Sequence, residues 1–160
     1  GMWWLNDKVG SYADGLGIDD EEMQKLESAM GDENESFCLK VMVNRFGNPN
    51  FINVALSDMA EAIEDAFRYD KIVVACATYD GGLFPVMQDF LYHLGHKNFQ
   101  NKKVAFVENG SWAPVANKKM REAFEKMKNM TLCDNMVTIK STMKEADVAQ
   151  MEALADELLA

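Results

Sequence analysis

The chain has 160 residues, of which 48% are hydrophobic and 26% charged, with a formal net charge of −10 at neutral pH. That length and balance describe one globular domain with room for a core, not a disordered chain. The acidic balance argues against a role resting on phosphate neutralisation, so nucleic acid is not an expected partner. No apolar run approaches the roughly 18–20 residues of a membrane span, so no membrane partner is expected either. Cys38, Cys76 and Cys133 are scattered and form no CxxC pair, which fits a reduced, cytoplasmic setting. Twelve methionines read as adaptable core filler.

The first fifty residues are the irregular part. Met2-Trp3-Trp4-Leu5 reads as a short strand or a terminal anchor, and Gly10 to Gly17 as a loop. Ile18 to Met30 has the spacing of a helix, with Met23, Leu26 and Met30 on one face and four acids, Asp19 to Glu22, in its first turn, where the helix dipole favours them. Phe37 to Phe46 alternates as a strand, and Gly47-Asn48-Pro49-Asn50 is a turn leading into a second strand, Phe51–Leu56.

From there the pattern is regular. Ser57 or Asp58 caps a helix running to about Arg68, with Met59, Ile63, Ala66 and Phe67 inward. Ile72–Ala77 and Val104–Val107 are short apolar runs of the kind that form parallel strands buried on both faces. Pro85 opens a helix with Met87, Phe90, Leu91 and Leu94 inward, and Pro114 opens another with Ala116, Met120, Ala123, Phe124 and Met127 inward. Met136–Ile139 is a last strand, and Lys144 to Leu159 a closing helix with Val148, Met151, Ala155 and Leu158 inward. Strands alternating with helices imply an α/β domain: a mostly parallel sheet between two helical layers, with an atypical first unit. A single domain over 1–160 is expected, divergent over 1–50 and regular over 51–160.

Each of the two buried runs ends in a loop rich in glycine and aromatic residues. The first is Thr78-Tyr79-Asp80-Gly81-Gly82-Leu83-Phe84, and the second is Asn109-Gly110-Ser111-Trp112-Ala113. Ligands of open α/β sheets bind at the carboxyl ends of the strands, where both loops lie. Tyr79, Phe84 and Trp112 offer flat surfaces to a flat aromatic ligand, and the glycines let backbone approach it. The same residues could instead shape turns and cap the core. His93 and His96 lie i,i+3 on a helix and read as surface or packing residues, since a metal site needs further ligands.

These loops, with Ile72-Val73-Val74, Pro85, Glu108, Pro114 and Val137-Thr138-Ile139-Lys140-Ser141, resemble the flavodoxin-like domain of the A-type flavoproteins, or flavodiiron proteins. The resemblance covers about two-thirds of the chain. It implies a flavodoxin-like three-layer sandwich with FMN at the switch point of strand order. It also implies that residues 78–84 lie along the isoalloxazine ring and that 109–113 cover its other edge. The implied role is electron transfer, with no catalytic nucleophile or base and no metal ligands in this chain. The implied partner is a redox protein or a di-iron domain. Asp80 and Glu108 would place negative charge near the ring and lower its potential.

One family feature has no counterpart. The S/T-x-x-G-x-T loop that wraps the FMN phosphate at a helix N-terminus is absent. The nearest match, Gly10-Ser11-Tyr12, precedes the helix that opens with four acids. A second reading is therefore a flavodoxin-like fold that has lost FMN and serves as a binding or structural module. A third is a flavin-dependent quinone or nitro reductase. Trp3-Trp4 can anchor self-association, so a homodimer is also an expectation.

Overall fold

The computed structural model describes residues 57–140 and 144–160, together with Arg45, Ile52 and Val54. The elements expected over 2–5, 10–17, 18–30 and 37–46, and Ser141, lie outside the described residues, Arg45 excepted. Of the strand expected over Phe51–Leu56, Ile52 and Val54 are described; neither is in a strand, and both pack into the core.

The first helix, α1 (Met59–Arg68), starts where Asp58 accepts a hydrogen bond from Ala60 N at 2.8 Å, an N-cap that satisfies an otherwise orphan amide. Strand β1 (Lys71–Tyr79) follows and turns back into a two-residue strand, β2 (Gly82–Leu83). Then come α2 (Pro85–His96), β3 (Lys103–Asn109) and α3 (Ala116–Glu125). Two short strands, β4 (Thr131–Leu132) and β5 (Val137–Ile139), precede the last helix, α4 (Glu145–Leu159). There Asp147 returns to accept from Lys144 N at 2.8 Å.

β3 is the central strand. It pairs in parallel with β1 from Lys71↔Lys103 to Ala77↔Asn109. On its other side it pairs in parallel with β4 and then with β5. Side chains alternate across a strand, so Val104 and Phe106 share one face with Val74 and Cys76. That face packs against α1, α2 and α3 in a core containing Ile63, Phe90, Leu94, Met120 and Phe124. Phe106 and Phe124 are fully buried, with ring centroids 5.8 Å apart. The opposite face, with Val107, Val137 and Ile139, meets α4 through Met151, Leu154 and Leu158, all buried. The result is a three-layer sandwich.

Three expectations shift. Phe67, expected inward, is 40% exposed and sets its ring edge-on to Phe99 at 5.0 Å, since it lies on the rim of the α1 stripe. The helix expected at Pro114 starts two residues later, because Pro114 packs back onto Gly110 instead. In α4 it is Leu154 that is fully buried, with Val148 only half-buried.

Candidate functional site

The first loop is a hairpin. β1 continues through Thr78 and Tyr79, which pair with Leu83 and Gly82. The two residues between them, Asp80 and Gly81, take φ of 48° and 69°. Positive φ at both central positions is what a type I′ turn needs, and Asp-Gly supplies it at low cost. The turn lifts Tyr79 to 56% exposure. Phe84, half-buried, meets the Tyr79 ring edge-on at 5.9 Å. Phe84 is also the N-cap of α2: its carbonyl accepts from Met87 N and Gln88 N, and Pro85 takes the first helical position.

The second loop is short and pinned at both ends. At its start, Gly110 N donates to Ile139 O at 3.0 Å. A Cβ on Gly110 would sit 3.0 Å from Pro114 Cβ and 3.4 Å from Thr78 Oγ1, so a larger residue here would be tight and would need Pro114 to give way. Ser111, Trp112 and Ala113 form an exposed bend, with Ala113 at φ 34°. Trp112 is 88% exposed.

Polar groups below the loops hold them. Alternation places Thr78 and Glu108 at the ends of the apolar rows Val74–Cys76 and Val104–Phe106, hence on the α3 face. Thr78 Oγ1 accepts from Val115 N at 3.0 Å and from Ala116 N at 3.2 Å. Glu108, only 5% exposed, accepts from Asn117 N at 2.8 Å and from the Thr138 hydroxyl at 2.8 Å. Asn117 Nδ2 donates to Val137 O at 2.9 Å, while its Oδ1 is buried without a partner among the described residues. The first free amides of α3 are thus occupied by a hydroxyl and a carboxylate drawn from β1 and β3. A helix N-terminus is a ready anion site only when its amides are open, and here those of Val115, Ala116 and Asn117 are taken.

No family profile matches the sequence, and no curated protein matches it in sequence. Solved structures do match in fold. Rubredoxin oxygen:oxidoreductase from Desulfovibrio gigas superposes with a TM-score of 0.68 at 16% identity, over 81% of this chain and 33% of that one. An archaeal flavodoxin gives 0.66 at 17% identity, over 80% and 90%. The Flv1 flavodiiron core from Synechocystis sp. PCC6803 gives 0.60 at 12% identity, over 78% and 30%. The fold is flavodoxin-like. The chain spans about a third of the length of the rubredoxin oxygen:oxidoreductase and flavodiiron chains, and most of the flavodoxin.

In this flavodoxin-like frame, both loops named from sequence lie at the carboxyl edge and are joined at Thr78. Tyr79, Asp80, Gly81 and Trp112 face solvent, whereas Gly82, Leu83, Phe84, Asn109 and Gly110 are partly covered. Ser111 and Ala113 are exposed beside Trp112. The Thr78 oxygen is spent on α3, which leaves only its hydroxyl proton for a ligand. Glu108 faces the α3 amides. Asp80 stands exposed at the hairpin tip.

Sequence reading missed Asn117 and the linking role of Thr138. The signal was present: Asn117 is a polar residue beside Ala116 and Met120 on the inward face of α3. Cys76, on the same row as Thr78, has its thiol pushed up by burial, against a backbone hydrogen bond at Phe84 that pulls it down; it stays protonated and inert. His93 is half-buried and His96 exposed, with His96 Nδ1 2.8 Å from Tyr92 O. Among the described residues, no group of three or more His, Cys, Asp or Glu is placed to hold a metal, and no helix is long and apolar enough to cross a membrane.

Proposed function

We propose that this chain is an FMN-binding, electron-transferring flavodoxin-like domain related to flavodiiron proteins. The observation that carries the reading is the pairing of two joined loops at the carboxyl edge, each presenting an exposed aromatic, Tyr79 and Trp112. Exposed aromatics of this size are costly to leave in water, and a planar ring covering them would recover apolar contact on both sides. The group fits on its ring side. Tyr79 and Trp112 would stack or flank it, and backbone of Asp80–Gly82 and Gly110–Ala113 would bond its polar edge. The start of α3 does not fit the phosphate, because the amides of Val115, Ala116 and Asn117 are taken by Thr78 and Glu108; a phosphate would rely on other residues.

FMN, when bound, supplies one- and two-electron transfer. The protein's part is to hold the ring, exclude water from one side and set the field around it. Asp80 at the turn adds negative charge, which lowers the affinity for an added electron. The partner would be a redox protein or a di-iron domain, as the resemblance of the two loops to those of flavodiiron proteins implies, and the setting cytoplasmic.

The filled α3 terminus favours one second reading: a flavodoxin-like module that binds a planar ring without a phosphate anchor, or binds protein instead. Titration of FMN and riboflavin into the chain, following flavin fluorescence, separates these. The proposal expects stoichiometric quenching by FMN, weakened about tenfold, or ~1.4 kcal/mol, by Trp112→Ala. Equal binding of riboflavin would point to the ring-only reading. No quenching by either ligand would overturn flavin binding.

A further inference from the structure

We propose that Thr78 is the positioning residue that couples the two loops and sets the spacing between Tyr79 and Trp112. This deepens the flavin reading and rests on it for its ligand arm only. Thr78 precedes Tyr79 in β1, and its oxygen holds the amides of Val115 and Ala116, three and four residues after Trp112. Gly110 lies against the same hydroxyl, at 3.4 Å from its would-be Cβ to Thr78 Oγ1, and against Pro114. A single oxygen on the first loop therefore meets both ends of the second. Two further anchors of the second loop run elsewhere: Gly110 N to Ile139 O, and Asn117 N to Glu108. Those fix it to β5 and β3, not to the hairpin that carries Tyr79.

The chemistry asks for a β-hydroxyl at this position. Two N–H groups converge on one oxygen from a half-buried strand end, and both acceptor directions of a hydroxyl are used. Valine has the same shape and no acceptor, so two amides at the start of α3 would lose their partner. Serine keeps the oxygen and loses only a methyl. The pair Thr78→Val and Thr78→Ser thus separates hydrogen bonding from packing.

The test reads three signals on the full chain: amide exchange at Val115 and Ala116, acrylamide quenching of Trp112 followed as the difference from Trp112→Ala, and FMN affinity by flavin fluorescence. Thr78→Val is expected to speed exchange at both amides at least tenfold, to change Trp112 quenching and to weaken FMN at least fivefold. Thr78→Ser is expected to restore all three to within about twofold of the parent. Unchanged exchange in Thr78→Val would overturn the coupling itself. Faster exchange with unchanged FMN affinity would overturn the positioning role and leave a plain helix cap. If the parent chain binds no flavin, the flavin reading fails while exchange and Trp112 quenching still decide the coupling. If Thr78→Val does not fold, Gly110→Ala strains the same joint with the hydroxyl intact. It is expected to change Trp112 quenching and FMN affinity in the same direction, and no change in either would overturn the proposal.

Discussion

The two sides of β3 are built by different means. Toward β1 the ladder is unbroken over seven pairs, Lys71↔Lys103 to Ala77↔Asn109. Toward the other edge it breaks. Lys103 and Val104 pair with Thr131 and Leu132, then Val107 to Asn109 pair with Val137 to Ile139. Two residues of β3, Ala105 and Phe106, stand opposite four, Cys133 to Met136, so the outer strand carries a two-residue bulge. Where the ladder is whole, backbone groups satisfy one another, and over its middle, Ile72–Ala75 against Val104–Val107, the side chains are apolar. Where it breaks, polar side chains take over. Glu157 of α4 accepts from Asp134 N at 2.6 Å, Asn135 N at 2.8 Å and Asn135 Nδ2 at 2.6 Å. Arg121 of α3 donates to Cys133 O at 2.8 Å. Lys103 Nζ donates to the Glu157 carbonyl. The candidate site sits above the seam, and Glu108–Thr138 is a side-chain cross-link near its top. An unbroken ladder fixes where β1 and β3 end; the broken one leaves the outer strand to be positioned by side chains.

The largest loss is expected from cutting the apolar centre. Phe106 is fully buried and touches Phe124, and Phe106→Ala should cost about 3–5 kcal/mol of stability, as large-to-small core changes in aromatics do. Denaturant unfolding at neutral pH measures it. A loss smaller than that of the bulge variant below would show that side-chain bridges, not the apolar face, carry this edge.

The bridge is the next largest effect. Glu157→Gln keeps one acceptor but sets an NH2 against the bulge amides, with an expected loss of about 1–2 kcal/mol. The pH dependence has a definite sign. Partial burial pushes the Glu157 carboxyl up, but hydrogen bonds from Asn135 and Asp134, helped by the Lys103 charge, outweigh it and hold it below the ordinary glutamate value. A carboxyl lowered in the folded state contributes stability that is present above its unfolded value and lost as pH falls through the folded one. The gap between parent and Glu157→Gln should therefore be full at neutral pH and close as pH falls below the ordinary glutamate value of about 4.3. A gap independent of pH would mean that the charge on Glu157 is immaterial to the bulge.

The same contrast marks what the sequence made legible. Ile72–Ala77 and Val104–Val107 stood out because strands buried on both faces read as continuous apolar runs, and both are extended by polar residues at the carboxyl end. Asp58 and Pro85 marked helix starts through chemistry local to the turn. The glycines and aromatics of the two loops were visible for the same reason. The bulge was not: Thr131–Leu132 is too short for periodicity, and its pairing depends on Glu157, some two dozen residues away. The hairpin had an Asp-Gly signal, but its return strand of two residues left no alternation to read. Thr78 looked like a ligand group because its partners lie 37 and 38 residues later. Only the register, which puts it on the row of Val74 and Cys76, reveals which way it points.

The smallest effect is expected at Asn117, where α3 meets both β3 and β5. Its Nδ2 bridges to Val137 O across the top of the seam, yet its Oδ1 is buried with no partner among the described residues. Replacing it by leucine removes one hydrogen bond, worth about 1 kcal/mol, and also an unpaired acceptor whose burial costs a similar amount. Volume is nearly kept on a helix face already lined by Ala116 and Met120. The Asn117→Leu variant should thus unfold within about 1 kcal/mol of the parent, since its backbone amide still bonds Glu108. A loss above about 2 kcal/mol would mean that Oδ1 is satisfied by ordered water, and that the seam is held by a hydrated network rather than by Glu108 and Glu157 as separate bridges. That outcome would move Asn117 from a tolerated polar residue to a member of the support beneath Trp112, and would make the two loops' floor wetter than the contacts among side chains imply.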